Sequence, residues 1–294
     1  MSLADDESLL QLITMARTED LGEKDITTAL MSNADAAAEF ALVAKQPCVL
    51  AGREIVGHVL AAYDAGIQVQ WSPGTDDGSR VDSAPATLAK LQGRLGSILA
   101  AERVLLNFLQ RLCGVATLTR KYVDAVAGTG AAIYDTRKTT PGWRTMEKYA
   151  VRCGGGANHR QGLFDAVLIK DNHLAGVQTD HLAGEVFEML NRVSSADPAP
   201  SFIEVEASNL AQVRELCKVV GIDMILLDNF SAAQLAEAVA YRDQLGLRGK
   251  IRLEASGGIT LDTVRAVAQT GVERISVGAL THSATAIDIS LERC

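Results

Sequence analysis

No CxxC pair occurs in this chain, and its five cysteines, Cys48, Cys113, Cys153, Cys217 and Cys294, are odd in number. That spacing gives no case for zinc and points to a reduced, cytoplasmic setting, not a disulfide framework. A surplus of positive charge is also missing. Against 36 acidic residues stand 28 Lys and Arg, a formal net charge of −8. Such a balance argues against nucleic acid or a membrane surface as partner, yet leaves room for a local basic pocket. The opening MSLADDESLL is acidic and carries no uncharged apolar run, so neither signal peptide nor membrane span is expected. Internal repeats, low-complexity tracts and long flexible linkers are absent as well. What remains is an ordinary globular composition, 48% hydrophobic and 22% charged. The 294 residues suffice for one large domain or two modest ones.

The hydropathy pattern changes character partway along. From about Ile133, short apolar runs recur, each ending in polar residues: AAIYDTRK, AVLIKDN, FIEVEAS, MILLDNF, IRLEASGG and RISVGAL. Runs rich in Ile, Val and Leu with little alternation fit strands of a parallel sheet buried on both faces. Helical patterns over Asn209 to Val219, Ser231 to Leu245 and Leu261 to Gln269 separate several of them. Ser231 and Thr260 are candidate N-caps, and Gly221, Gly246 and Gly271 sit near helix ends. Strand–helix alternation of this kind means a β/α barrel or an open doubly wound sheet. Before about residue 115 the reading differs. Ser8 to Thr18 is a candidate amphipathic helix, and the segments from Glu39 and Gly66 look like antiparallel strands with turns at Pro47 and Pro73-Gly74. Ile98 to Val126 is strongly helical, with Gly114 a candidate break. SSADPAPS (Ser194 to Ser201) is a loop before a strand.

Against the acidic balance, the stretch from Asp135 to His173 concentrates Arg137, Lys138, Arg144, Arg152, His159, Arg160, Lys170 and His173 around a triple glycine. Fixed cations beside adaptable backbone suit a compact polyanion, such as a phosphorylated sugar or a dicarboxylate. Singly, each charge would read as a solvated surface group. In β/α barrels, however, functional groups gather at the C-terminal strand ends. Those ends here supply Asp135, Arg137 and Lys138, then Lys170 and Asp171, Glu204 and Glu206, Asp228 and Asn229, Glu254 and Ser256, and Gly278. A ring of mutually neutralising ion pairs is the bland alternative.

The words ERVLLNFLQRLCGVAT, DTRKTTPGWRTMEKYAVRCGGGANHR, LIKDNH, EVE, LLDN and EASGGI occur in this order. Together they resemble the quinolinate phosphoribosyltransferase family, also called nicotinate-nucleotide pyrophosphorylase (carboxylating), over essentially the whole chain. The resemblance implies an α/β fold: an N-terminal α/β sandwich domain (1–115) plus an incomplete, open β/α barrel (116–279), with 280–294 a candidate to pack back on the first. It implies transfer of phosphoribosyl from phosphoribosyl pyrophosphate to quinolinate with decarboxylation, giving nicotinate mononucleotide, pyrophosphate and CO2. The acidic pair and TGT-like turn of the commoner phosphoribosyltransferase class are missing, in keeping with this separate family.

The same resemblance implies roles residue by residue. Lys138, Lys170, Glu206 and Asp228 are the catalytic expectations, with Glu206 and Asp228 holding Mg2+ directly or through water. Glu204 shares a strand face with Glu206, and alternation alone does not separate the two. Thr136, Arg137, His159 and Arg160 are expected on the substrate. Ser256, Gly257, Gly258, Val277, Gly278 and Ala279 are expected as a backbone cup for a terminal phosphate. Arg103 matches an arginine that reaches a neighbouring subunit's site, which implies a homodimer, or a higher assembly of dimers, with shared active sites. Two other readings stand beside this one: a related pyridine or pyrophosphoryl-transfer enzyme such as the relative encoded beside molybdate transporters, and a non-catalytic anion-binding barrel. Nicotinate, a monocarboxylate, is a further candidate substrate, although several cations near the ring favour two carboxylates.

Overall fold

The computed structural model describes residues 7–193 and 199–294. Most of the loop expected over Ser194 to Ser201 lies outside the described residues, as does the start of the acidic N-terminus. The chain forms two compact units. The first holds the residues up to Arg120, Thr139–Gly155 and Leu280–Cys294; the second holds Lys121–Lys138 and Gly156–Ala279. A cut at 115/116 falls inside the long helix that runs from Leu95 to Ala125.

In chain order the first unit comprises α1 (Glu7–Leu21), β1 (Ala37–Ala44), β2 (Cys48–Val49), α2 (Arg53–Tyr63), β3 (Gln68–Trp71), β4 (Arg80–Val81), β5 (Ala86–Arg94) and most of α3 (Leu95–Ala125). Its sheet runs β12–β1–β5–β3, with β12 (Ile289–Arg293) antiparallel to β1 from Phe40↔Arg293 to Ala44↔Ile289. Leu42, Leu88 and Leu91 are buried in it. The central strand β5 has no counterpart among the expected strands. Its ATLAKLQGR lacks Val and Ile, and packing of Leu88, Ala89 and Leu91 carries it where local propensity does not.

Gly114 does not break α3; the helix runs through it. A Cβ there would lie 2.2 Å from the carbonyl oxygen of Thr285, so the glycine lets the 285–286 backbone lie against the helix. α4 (Arg144–Cys153) belongs to the same unit. Its buried Glu147 accepts hydrogen bonds from Thr140 N–H (3.0 Å) and from Arg111 (2.6 Å). Phe108 stacks on Trp143 at 4.7 Å.

The second unit contains β6 (Ala132–Tyr134), β7 (Val167–Ile169), α5 (Leu182–Val193), β8 (Ile203–Ala207), α6 (Leu210–Leu216), β9 (Met224–Asp228), α7 (Ala232–Gln244), β10 (Arg252–Ser256), α8 (Val264–Ala268) and β11 (Arg274–Ser276), with α9 (Ala279–His282) after it. Its strands pair in parallel in the order β6–β11–β10–β9–β8–β7. The first two strands in sequence are therefore the two edges, and no pairing joins them among the described residues. This is an open β/α barrel. Segment 157 covers the β6 edge, since Ala157 bridges Tyr134 in parallel. The near-continuous burial of β9 and β10 explains their apolar runs.

Ser231 caps α7 with a capping box to Gln234, as its position suggests. Thr260 does not cap the next helix. Residues 261–263 form a turn, Thr260 N–H bonds to the Thr263 hydroxyl, and α8 starts at Val264 behind Thr263. Gly221, Gly246 and Gly271 take positive φ after their helices.

Replacing Gly114 by Ala sets two effects against each other. Ala gains roughly 1 kcal/mol of helix propensity, whereas overpacking costs about 1–3 kcal/mol. Because the clash is with backbone, not a flexible side chain, a net loss of stability is expected in urea unfolding. An equal or higher midpoint would show that the 285–286 segment yields.

Candidate active site

The C-terminal ends of the parallel strands open on a cavity of about 360 Å³ in the second unit. Thr136, Arg137 and Lys138 reach it from beyond β6, His159 and Arg160 from the 156–160 segment, and Lys170 from the end of β7. Glu206, Asp228 and Ser256 line it from β8, β9 and β10. Leu168, Leu226, Glu254 and Ser276 complete the lining. Nine of the expected site residues thus share one cavity.

The remaining ones fall elsewhere. Gly257 and Gly258 follow β10 with φ of 91° and 62° and lie just outside the lining. Val277 commits its N–H to the carbonyl of Tyr134 (2.9 Å), so that group is not available to a phosphate. Gly278 is a turn residue, and Ala279 begins the four-residue α9. Arg103 is exposed on α3 in the first unit and is not among the lining residues.

Depth distinguishes the two glutamates that alternation left equivalent. Glu206 is buried but faces the cavity, with its carboxylate 3.3 Å from the half-exposed Lys170 ammonium. Glu204, two residues earlier, is fully buried below it and accepts from Nε2 of His159 at 2.9 Å. Glu254 approaches the same Nε2 at 3.4 Å and accepts from Arg274 Nε at 2.5 Å. The Arg274 guanidinium lies 3.6 Å from the centre of the Tyr134 ring, a cation–π contact. Phe202 meets His159 edge-on at 5.3 Å. Glu204, Glu254, Arg274 and Tyr134 form the floor of the site. Sequence reading missed this floor as a unit, although charged residues inside otherwise apolar strands were its signal.

Asp135 holds the 156–160 segment in place. It is fully buried and accepts from His159 N–H (2.9 Å) and Asn158 Nδ2 (2.5 Å). His159 has both ring nitrogens engaged by protein, because the Arg160 N–H donates to Nδ1 at 2.8 Å. That bond favours Nε2–H as the ring proton, pointing at Glu204.

Electrostatics follow from this packing. Burial opposes charge on His159, but the hydrogen bonds to Glu204 and Glu254 outweigh it and its pKa is pushed up to about 9. Burial and the nearby Glu254 charge push the Glu204 carboxyl up. For Glu254, burial works against ionisation, while His159 and Arg274 overcome it and hold the carboxyl down. His159 and Glu204 therefore share one proton more than a free imidazole and a free carboxylate hold at pH 7. With Glu254 matched by Arg274, the floor is near neutral. On the wall, burial lowers the pKa of Arg160, and the Arg137 charge lowers it further. The two guanidinium groups repel one another. Arg137 Nε and Ser276 Oγ are buried without a hydrogen-bond partner among the described residues.

Two mutually repelling arginines, two lysines and a pair of cavity-facing carboxylates at the C-terminal ends of an open β/α barrel define a class: an enzyme handling a compact polyanion. Comparison with known proteins narrows it. Residues 115–292 match the C-terminal domain of quinolinate phosphoribosyl transferase and residues 25–113 its N-terminal domain. A nicotinate-nucleotide pyrophosphorylase [carboxylating] of Mycobacterium leprae is 41% identical over 271 residues, covering 91% of this chain and 90% of that protein. A quinolinate phosphoribosyltransferase [decarboxylating] 1b of Nicotiana tabacum is 38% identical, covering 96% of this chain and 81% of that protein. The solved nicotinate-nucleotide pyrophosphorylase of Francisella tularensis superposes with a TM-score of 0.87 at 37% identity, covering 98% of this chain and 97% of the other. The chain belongs to the quinolinate phosphoribosyltransferase family.

The shared proton has a measurable consequence. A folded-state value above the ordinary 6.5 contributes stability that is complete below about pH 6.5 and fades as pH rises through about 9. The stability gap between wild type and His159→Gln, followed by urea unfolding, is expected to narrow over that window. A gap that stays constant with pH would show that the floor retains no extra proton.

Proposed function

We propose that this chain transfers the phosphoribosyl group of phosphoribosyl pyrophosphate to quinolinate with loss of CO2, the reaction its family relatives are named for. The observation that carries the reading is the pair Arg137 and Arg160. Both line one cavity, burial and the Arg137 charge disfavour the charge on Arg160, and Arg137 Nε has no protein acceptor among the described residues. A dicarboxylate relieves both costs at once, with charge-assisted bonds that a monocarboxylate makes only in part. Nicotinate is accordingly the poorer fit.

In the reaction, the lone pair of the pyridine nitrogen forms the bond to ribose C1′, and the C1′–oxygen bond breaks with its pair leaving on pyrophosphate. The bond from ring C2 to its carboxylate then breaks, CO2 departs, and the pair left on C2 takes up a proton. Lys138 and Lys170 are the ammonium groups of the cavity wall, suited to the charge that builds on pyrophosphate and on the ring. The near-neutral floor adds no net negative charge beneath the substrate. Glu206 and Asp228, on adjacent strands, present hard oxygen donors of the kind Mg2+ takes. Each commits one oxygen to a protein donor, Lys170 or Asn229. We place Mg2+ at these two carboxylates, where it would offset the charge of the pyrophosphate. Arg103, exposed on α3, is assigned to a neighbouring subunit's site in a homodimer or an assembly of dimers. Five cysteines free of disulfides fit a cytoplasmic setting. No helix among the described residues is long and apolar enough to cross a membrane.

The direct test is product formation from quinolinate, phosphoribosyl pyrophosphate and Mg2+, with nicotinate in parallel. Nicotinate mononucleotide and CO2 are expected together, from quinolinate only. Turnover of nicotinate instead would overturn the substrate, and silence with both would overturn the reading. Arg137→Ala is expected to raise KM for quinolinate about ten- to hundredfold, the loss of one or two charge-assisted bonds. The KM for phosphoribosyl pyrophosphate should move far less; equal rises would mean that Arg137 serves another group. Separately inactive Arg103→Ala and Lys138→Ala proteins are expected to regain activity on subunit exchange. Failure after confirmed exchange would exclude a shared site.

A further inference from the structure

We propose that Asn229, which lies outside the cavity lining, is a positioning residue for Asp228, and that Gly257, already at a φ of 91° that favours glycine, leaves the space beside it to the Asn229 amide. This rests on the reading above, in which Asp228 serves the ribose and cation end of the site.

Three observations converge. Asn229 takes φ of 58°, and among the described residues no other non-glycine residue is given a left-handed backbone. Asn tolerates that conformation better than most side chains, but a left-handed non-glycine residue at a strand end still calls for a compensating role. Second, the left-handed turn directs its Nδ2–H back onto Asp228 Oδ2 at 2.7 Å, while its own N–H donates to the Ser256 carbonyl at 2.9 Å. A carboxylate only accepts, so the amide orientation follows from the contact itself. Third, a Cβ on Gly257 would lie 2.2 Å from Asn229 Oδ1, 2.6 Å from its Cγ and 2.9 Å from its N. Two of these atoms belong to the amide that holds Asp228, and one is backbone.

The ends of β9 and β10 are thus latched together. The backbone bond from Asn229 to Ser256 sets the spacing of the strand ends, Gly257 leaves the amide its place, and the amide fixes one oxygen of Asp228. The other oxygen is thereby given a defined direction toward its ligand. Asp228 lines the cavity and Asn229 does not, so the amide acts on ligand only through the carboxylate.

Asn229→Gly is the sharpest variant, because it keeps the left-handed backbone and removes only the amide. The KM for phosphoribosyl pyrophosphate and the Mg2+ concentration for half-maximal rate are each expected to rise about tenfold, the loss of roughly one charge-assisted bond. The quinolinate KM should stay within about twofold and the melting temperature near that of wild type. Calorimetric binding of phosphoribosyl pyrophosphate with Mg2+, without quinolinate, reads the effect without turnover. Unchanged Mg2+ dependence and pyrophosphate-substrate affinity in Asn229→Gly would overturn the proposal, as would equal losses for both substrates. Wild type that binds phosphoribosyl pyrophosphate but turns over no quinolinate would sink the functional reading alone, and calorimetry would still decide the role of Asn229.

Discussion

The ion pair between Glu254 and Arg274 is the constraint on which the site depends. Two glutamates and a histidine lie together under the cavity, with one ligand-type atom of each within 4.8 Å of the others. Unpaired, two buried carboxylates at that separation would be costly and would repel any anion above them. Arg274, bonded to Glu254 and packed on Tyr134, neutralises one of them. The proton shared by His159 and Glu204 neutralises the other. The cations of the wall can then act on substrate without first being quenched from below. An arginine at the start of a three-residue buried strand is tolerated for this reason.

The cavity is divided by chemistry along the strand order. Arg137 and Arg160, near the β6 and β7 edges, offer planar donors for carboxylates, while Glu206, Asp228 and the turn after β10 offer oxygen ligands and open backbone. The open side of the barrel serves the first half, because the edge of β6 is free to pair with 157 and so carries His159 and Arg160 into the site. A closed barrel would have had a strand there in place of that segment.

Much of this was legible in the sequence. The six apolar runs became the six parallel strands, and seven polar residues at their ends share a single cavity with His159 and Arg160, because a strand buried on both faces must show its polarity at its end. Other features had no local signature. β5 is held by packing and not by propensity. The role of Gly114 depends on Thr285, 171 positions away, and on no helix-breaking tendency of its own. Glu204 and Glu206 face the same way, and only the depth of the barrel separates a proton-sharing group from a cavity-facing carboxylate. The commitment of the Val277 N–H to Tyr134 and the left-handed turn at Asn229 are backbone facts that residue identity does not announce.

The antiparallel sheet of the first unit seats β1 between β5 and β12. On a ribosome, β1 emerges with its other neighbours long before residues 289–293 are made. Throughout synthesis of the whole barrel it must therefore present an unpaired edge rich in Ala, Leu, Phe and Val. A nascent chain in this condition is open to pairing with the wrong strand, so stalled or truncated translation products should be more prone to aggregate than the finished protein.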